Sequence, residues 1–95
     1  MAELNVDLVA ADRKVWSGAA REVVAPSADG QIGILAGHTP LLAVLRPGTV
    51  KVFTAPGQVA VEVQVTGGFV SVDTDVVTIV VDDVTEVSGR ESSLA

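Results

Sequence analysis

An all-β fold is predicted by the residues that this 95-residue chain supplies for a core and by the pattern in which they recur. Apolar residues make up 48% of the chain and aromatic residues only 3%, and twenty of the apolar residues are valines. Valine is stiff at χ1 and packs well on a pleated sheet, so a valine core favours strands. Turn signals recur about every eight to twelve residues, which is typical of a sandwich or barrel of short antiparallel strands. A chain of this length supports one domain.

The first half of the chain predicts three strands. Apolar residues alternate with polar ones from Leu4 to Ala10, the period of a half-buried strand. A second strand is predicted from Val15 to Ala25, closed by the turn cluster Pro26 to Gly30. Gln31 to Leu35 is a short apolar strand, which ends at the Ala-Gly-His-Thr-Pro segment because residues before proline avoid the helical region.

The second half begins with a hairpin. Val50 and Val52 lie in one arm, Pro56-Gly57 forms a type II turn, and Val59 to Val65 form the second arm with every second valine inward. Gly67-Gly68 is either a tight turn or a bulge that lets the chain bend from one sheet into another.

The remaining residues predict a further hairpin and then a tail. Val70 and Val72 continue the alternation, and Thr74-Asp75 turns the chain. Val76 to Val81 is apolar on both faces, so this strand is expected to be buried on both sides or covered by a partner. From Thr85 onward the sequence becomes small and polar, which predicts a frayed tail.

Charge and composition exclude several classes of function. Twelve acidic residues against six basic ones give a net charge of -6, and the basic residues are scattered, so neither a nucleic-acid surface nor a polybasic membrane patch is expected. There is no cysteine for a disulfide or a thiolate metal site. No secretion signal and no apolar run of about 20 residues is present, so membrane contact is expected only through other proteins.

Residues Gly30 to Leu42, which include the only histidine, are the strongest candidate for a site, yet they predict no catalysis. A lone His38 without an activated nucleophile or further ligands makes neither a triad nor a metal site. The glycines do not follow the phosphate-binding spacing. His38 is therefore interpreted as a packed or interface histidine, and no cofactor is expected. Leu41 and Leu42 either complete the core or form an apolar patch for a permanent partner.

The order of motifs resembles the N-terminal domain of the epsilon subunit of F-type ATP synthase. The resemblance covers about the first 85 residues and rests on Gly-Gln-Ile-Gly-Ile, then Gly-His-Thr-Pro-Leu-Leu and Arg-Pro-Gly, with Trp-Ser-Gly upstream and Gly-Gly downstream. It implies an antiparallel β-sandwich of ten strands in two five-stranded sheets, spanning residues 1–84. Residues 85–95 are then a polar tail without the C-terminal helical hairpin of many relatives, so that hairpin's inhibition and ATP binding are not expected here.

The resemblance also implies a function. Such a domain is a non-catalytic rotor subunit that joins the gamma subunit, and through it the catalytic head, to the membrane c-ring. It is a peripheral membrane protein at the cytoplasmic face of the bacterial plasma membrane. Matching positions place Ala10, His38 and Ala43 on the gamma side and Asp29, Gly30 and Gln31 on the c-ring side. Many relatives carry an acidic residue at the position of Gln31, so a neutral hydrogen bond would replace a charged one.

A different class of function remains as the alternative. The chain could be a stand-alone β-sandwich that binds a metal or a sugar. Such a module would need a cluster of histidine and carboxylate ligands or an exposed row of aromatic side chains. Neither is visible in the sequence, which has only Trp16, Phe53 and Phe69 as aromatic residues.

Overall fold

The computed structural model describes residues 3–86, and within this range the chain consists of ten strands and their connections. The predicted all-β class is confirmed. The strands are, in chain order, β1 (Leu4–Ala10), β2 (Arg13–Ala20), β3 (Glu22–Ser27), β4 (Gly30–Leu35), β5 (Leu41–Leu45), β6 (Gly48–Ala55), β7 (Gln58–Val65), β8 (Gly68–Asp73), β9 (Val76–Val81) and β10 (Val84–Glu86).

The ten strands form one continuous, curled sheet rather than the two separate five-stranded sheets that were expected, and within it they pair as two groups of five, here called the first and second sheets. The first sheet has the order β4, β3, β6, β7 and β10, and the second sheet has the order β5, β8, β9, β1 and β2. A single residue pair, Ser27 of β3 with Leu45 of β5, joins the two sheets into one curled ladder. The predicted antiparallel pairing holds for every ladder of residues 3–86 except one, because β1 and β9 run parallel.

The core lies between the two sheets and follows from the alternation of the sequence. In β1 every second residue from Leu4 is buried while Asn5, between them, is exposed. Nineteen apolar side chains form the buried cluster, and Leu8, Ile34 and Ile79 are among the largest that are fully enclosed. Because most of the others are valines and alanines, the core is filled by many small, stiff side chains rather than by aromatic rings.

The prediction of one continuous strand from Val15 to Ala25 is wrong, because these residues belong to two strands. β2 ends at Ala20 in the second sheet, and β3 begins at Glu22 in the first sheet. Arg21 lies between them, and its backbone N–H donates to the carbonyl oxygen of Phe53 at 2.8 Å. The bond satisfies the donor where the chain changes sheet, so neither glycine nor proline is needed at the break.

The predicted hairpin of β6 and β7 is present, but one side chain that was predicted to face inward is exposed. Val61, Val63 and Val65 are buried as expected, but Val59 is 39% exposed. The ladder shifts register next to Phe53, so the alternation of β7 does not continue through to its first residues. A bulge of this kind turns the side chains on either side of it to different faces.

The two glycines at 67 and 68 lie where the chain passes from β7 in the first sheet to β8 in the second. Both have positive φ, 150° and 142°. Gly68 pairs with Leu45 on one side and with Val81 on the other. Of the two predicted interpretations, the structure supports the one in which these glycines carry the chain from one sheet into the other.

The chain after β9 continues in the first sheet. β10 pairs with β7, with Val84 opposite Val65 and Glu86 opposite Val63. Strand pairing therefore extends two residues beyond the predicted boundary at residue 84. The rest of the predicted tail, 87–95, lies outside the described residues.

Candidate functional site

The outer face of the second sheet carries an exposed group of apolar side chains, here called the apolar patch. Leu42 is 74% exposed, Val44 68% and Phe69 42%. Val9 and Val80 are half-buried beside them. Large exposed apolar side chains that cluster on one face are typical of a surface that contacts another molecule.

Strand register brings these residues together although they come from four parts of the sequence. Val44 is paired with Phe69, Phe69 with Val80, and Val80 with Val9, so the four form one row across β5, β8, β9 and β1. With strands about 4.8 Å apart, the row is about 14 Å wide. Leu42 lies two residues before Val44 in β5, and thus on the same face.

A polar group borders the apolar patch on the side of β2. The Ser17 hydroxyl donates a hydrogen bond to Asp7 Oδ1 at 2.8 Å, and Lys14 Nζ lies 3.5 Å from the same oxygen. The Ser17 hydrogen bond, aided by the charge of Lys14, holds the pKa of Asp7 below its ordinary value. The outer face therefore changes from apolar at β5 and β8 to charged and hydrogen-bonded at β1 and β2.

The loop 36–40, which joins β4 to β5, carries His38 at one end of the second sheet. The backbone N–H of His38 donates to the Leu35 carbonyl oxygen at 3.1 Å, and the ring nitrogen Nδ1 of His38 lies 2.7 Å from the Thr39 carbonyl oxygen. The Gly37 N–H donates to Asp75 Oδ1 at 2.7 Å, which connects the loop to the turn between β8 and β9. His38 is half-buried and lies four residues before Leu42.

The three residues predicted for the gamma side do not come together. Ala10 is 4% exposed at one end of the second sheet, where it pairs with Val81. His38 lies at the other end, about 17 Å away along the strands. Ala43 lies between them, half-buried and packed against the core. The side chains of both alanines face inward, and the apolar patch lies on the opposite side of the strands that carry them.

The three residues predicted for the c-ring side do lie together. Asp29, Gly30 and Gln31 are all exposed at the tip of the β3–β4 hairpin, here called the hairpin tip. Gly30 has a φ of 117°, and its carbonyl oxygen accepts a hydrogen bond of 2.6 Å from the hydroxyl of Ser27. Because Ser27 is also the residue that pairs with β5, the hairpin tip lies at the end of the second sheet opposite to His38.

Small-molecule chemistry finds little support in the described part of the chain. No three histidine, aspartate or glutamate side chains converge within residues 3–86 as a metal site would require. One groove, of about 430 Å³, is open to solvent and is lined by residues that include Pro47, Gln64, Thr66, Asp83 and Val84. Over the same residues, no helix is long and apolar enough to cross a membrane.

Comparison with known proteins identifies the family of this domain. The family model of the ATP synthase Delta/Epsilon chain beta-sandwich domain matches residues 3–87. The chain belongs to this family. The match covers all ten strands, so the family assignment rests on the whole fold and not on the glycine-rich segment alone.

Relatives and solved structures of this family extend the comparison. The chain is 56% identical over 79 residues to the ATP synthase epsilon chain of Micrococcus luteus, covering 83% of this chain and 86% of that one. It is 48% identical to the epsilon chain of Acaryochloris marina over 83% of this chain, but spans only 56% of the relative's length. The cryo-EM structure of Euglena gracilis mitochondrial ATP synthase, OSCP/F1/c-ring, contains a chain that is 25% identical, with a TM-score of 0.82 over 90% of this chain and 54% of that one.

Part of the apolar patch was not predicted. The sequence does not single out Val44 or Phe69, and it leaves open whether Leu42 is a core or a surface residue. The signal for this face was the strand Val76 to Val81, apolar on both sides, for which a covering partner was one of two expectations. Val77, Ile79 and Val81 are buried, whereas Val76 is 43% exposed and Val80 half-buried, so in the chain by itself the outer face is open.

Proposed function

We propose that this chain is a non-catalytic central-stalk component of an F-type ATP synthase, which joins the gamma subunit to the c-ring. The apolar patch is the observation that carries the proposal. It offers one continuous apolar row, centred on Val44 and Phe69, on a β-sandwich whose family is that of the epsilon chain. An apolar centre with a polar border is the usual composition of a protein interface.

The gamma side is assigned to the outer face of the second sheet. Leu42 and Val44 present their side chains to the partner, and His38 lies at the edge of the same surface. Ala43 contributes through its position between them, since its small side chain packs against the core. Ala10 contributes through the backbone at the end of β1, since its side chain is 4% exposed.

The c-ring side is assigned to the hairpin tip. Its residues are exposed and polar, which suits contact with the polar loops that a membrane ring presents to the stalk. Asp29 is the only charged residue of the tip, and Gln31 offers a neutral amide for hydrogen bonds. The tip and the His38 loop lie at opposite ends of the second sheet, so both contacts can form at once.

A rotor role gives the chain no reaction of its own. The chain passes torque between its partners while the catalytic head, reached through gamma, carries out the chemistry. On this proposal it is a peripheral protein of the coupling membrane, on the cytoplasmic face in a bacterium, and is held there only through the complex. The alternative of a stand-alone binding module would place its ligand in an open groove, such as those of about 430 and 190 Å³.

The test of the proposal is binding of this chain to purified gamma subunit, measured by titration calorimetry. We expect one site with a dissociation constant below about 1 μM, corresponding to about -8 kcal/mol, since a permanent subunit contact must survive dilution. Burial of the apolar patch also predicts a negative heat-capacity change of binding. A folded chain that gives no heat with gamma at several temperatures, and no complex in gel filtration, contradicts the proposal.

The hairpin tip makes a separate prediction. Replacing both Asp29 and Gln31 by alanine is expected to weaken attachment to c-ring-containing membranes by about 30-fold, since each of the two lost hydrogen bonds costs about 1 kcal/mol. Affinity for gamma should be unchanged, because neither residue belongs to the apolar patch. Co-sedimentation of a gamma complex with the membranes measures the first quantity and calorimetry the second. Equal loss of both would show that the tip and the patch do not serve separate partners.

A further inference from the structure

Asp75 holds three separate segments of the chain together at one end of the second sheet. Its carboxylate oxygen Oδ1 accepts the Gly37 N–H at 2.7 Å, and its backbone carbonyl oxygen accepts the Asn5 N–H at 2.8 Å. The residue itself forms the turn between β8 and β9. One residue, through its side chain and its backbone, thus connects the His38 loop, the second sheet's central hairpin and the start of β1.

The turn that contains Asp75 has an energetically unfavourable backbone conformation. Thr74 has a φ of 49° and Asp75 a φ of 63°, so both residues of the two-residue connection are in the left-handed region. Asparagine and glycine are the residues that favour such a turn, and a β-branched residue there is unusual. Strained residues of this kind persist where the surroundings require them, and they concentrate at functional positions. A glycine at 75 would suit the turn better but could not bind Gly37.

Between its two strand ends, the His38 loop is tied to a distant segment by that side chain. Among the hydrogen bonds of the described residues, those made by His38 reach only Leu35 and Thr39, both within the same part of the chain. Within residues 3–86, the Gly37 N–H is the one group of the loop that bonds to a distant segment, and its partner is Asp75. Gly37 has a φ of 85°, so the loop is not held by regular strand geometry.

We propose that Asp75 is a positioning residue for the gamma contact, fixing the His38 loop beside Leu42 so that the surface is formed before the partner arrives. The inference rests on the proposed function, since it assigns the His38 loop to that interface. A hydrogen bond to a carboxylate is stronger than one between neutral groups, and it joins two connections that would otherwise move independently. A loop that is ordered in advance loses less entropy when it binds.

The experiment uses three variants of the full chain. Asp75→Gly removes the carboxylate and relaxes the turn, so the domain is expected to remain folded. Asp75→Asn is the matched control, because asparagine tolerates the same backbone and keeps a side-chain carbonyl oxygen as acceptor. His38→Ala removes the side chain that the loop presents.

We expect Asp75→Gly to weaken gamma binding about 10-fold in calorimetry, because the bond to Gly37 is lost. Asp75→Asn should change it by less than about 3-fold, because a neutral bond replaces the charge-assisted one. The Gly37 amide should exchange with solvent faster in Asp75→Gly, which can be measured without gamma. A double variant carries both His38→Ala and Asp75→Gly. Relative to the wild-type chain, its loss of affinity should be smaller than the product of the two single losses, because both substitutions act through one loop.

The outcomes separate the inference from the proposed function. A wild-type chain that does not bind gamma removes the proposed function, and the inference with it. A wild-type chain that binds gamma, with Asp75→Gly binding equally well, overturns the positioning role alone. So does independent, multiplicative loss in the double variant. An unchanged exchange rate of the Gly37 amide in Asp75→Gly would also overturn it, whatever happens to binding.

Discussion

Substitution of Gly68 by alanine is expected to destabilise this domain strongly. Gly68 has a φ of 142°, and a Cβ added to it would lie 2.8 Å from Val81 Cα and 2.9 Å from the Val80 carbonyl carbon. These are backbone atoms of β9, which cannot move aside without breaking the ladder. We expect a loss of about 4 kcal/mol, a large share of the roughly 5–15 kcal/mol that holds a small domain folded.

The measurement is urea unfolding followed through the fluorescence of Trp16, the only tryptophan. Gly57→Ala is the matched control. Gly57 also has a positive φ, 73°, but a Cβ there would meet no atom within 4 Å. It should cost only about 1 kcal/mol, from backbone conformation alone. A Gly68→Ala variant no less stable than Gly57→Ala would show that the close approach of β8 and β9 does not constrain this position.

Replacement of Leu42 by glutamate is expected to lower affinity for gamma about 100-fold while leaving the domain folded. The Leu42 side chain is 74% exposed, so stability does not depend on it. In the complex it would be buried at the centre of the contact, where losing one apolar anchor and burying a charge together cost at least about 3 kcal/mol. Calorimetry gives the affinity, and the unfolding midpoint gives the stability.

A matched control for this substitution lies on the other sheet. Val59→Glu changes an apolar residue of β7 that is 39% exposed to the same charged residue, and it changes the net charge of the chain equally. The affinity of the Val59→Glu variant for gamma should match that of the wild-type chain. If Val59→Glu weakens binding as much as Leu42→Glu, the effect is one of charge and the apolar patch is not the interface. If neither weakens binding, gamma binds elsewhere.

The sequence was sufficient to predict the strands that alternate and the turns that contain proline, glycine or aspartate. β1 and the valines from 61 to 65 were predicted with their correct faces, because polar residues between the valines identify the outside. The break between β2 and β3 could not be predicted, since Ala20, Arg21 and Glu22 carry no turn signal. The backbone hydrogen bond from Arg21 to Phe53 takes the place of a turn residue, and it depends on a strand thirty residues away.

The residues of the apolar patch were harder to predict from the sequence than the strands, for a related reason. β5 reads Leu-Leu-Ala-Val-Leu, and a strand that is apolar at every position does not reveal which residues face inward. Only the pairing with β8 decides that Ala43 packs on the core while Leu42 and Val44 face solvent. The hairpin tip, by contrast, is formed within one short stretch of chain, and its three predicted residues do lie together.

The parallel pairing of β1 with β9 sets the order in which this domain can be completed during synthesis. Asn5 and Val76 are neighbours in the sheet but lie about 70 residues apart along the chain. Non-local pairings of this kind slow folding, because a long loop must close before any contact rewards it. On the ribosome, β1 and β2 emerge first yet cannot complete the second sheet until β9 has left the exit tunnel. The nascent domain must therefore keep β1 and β2 from pairing elsewhere until nearly all of it has been made.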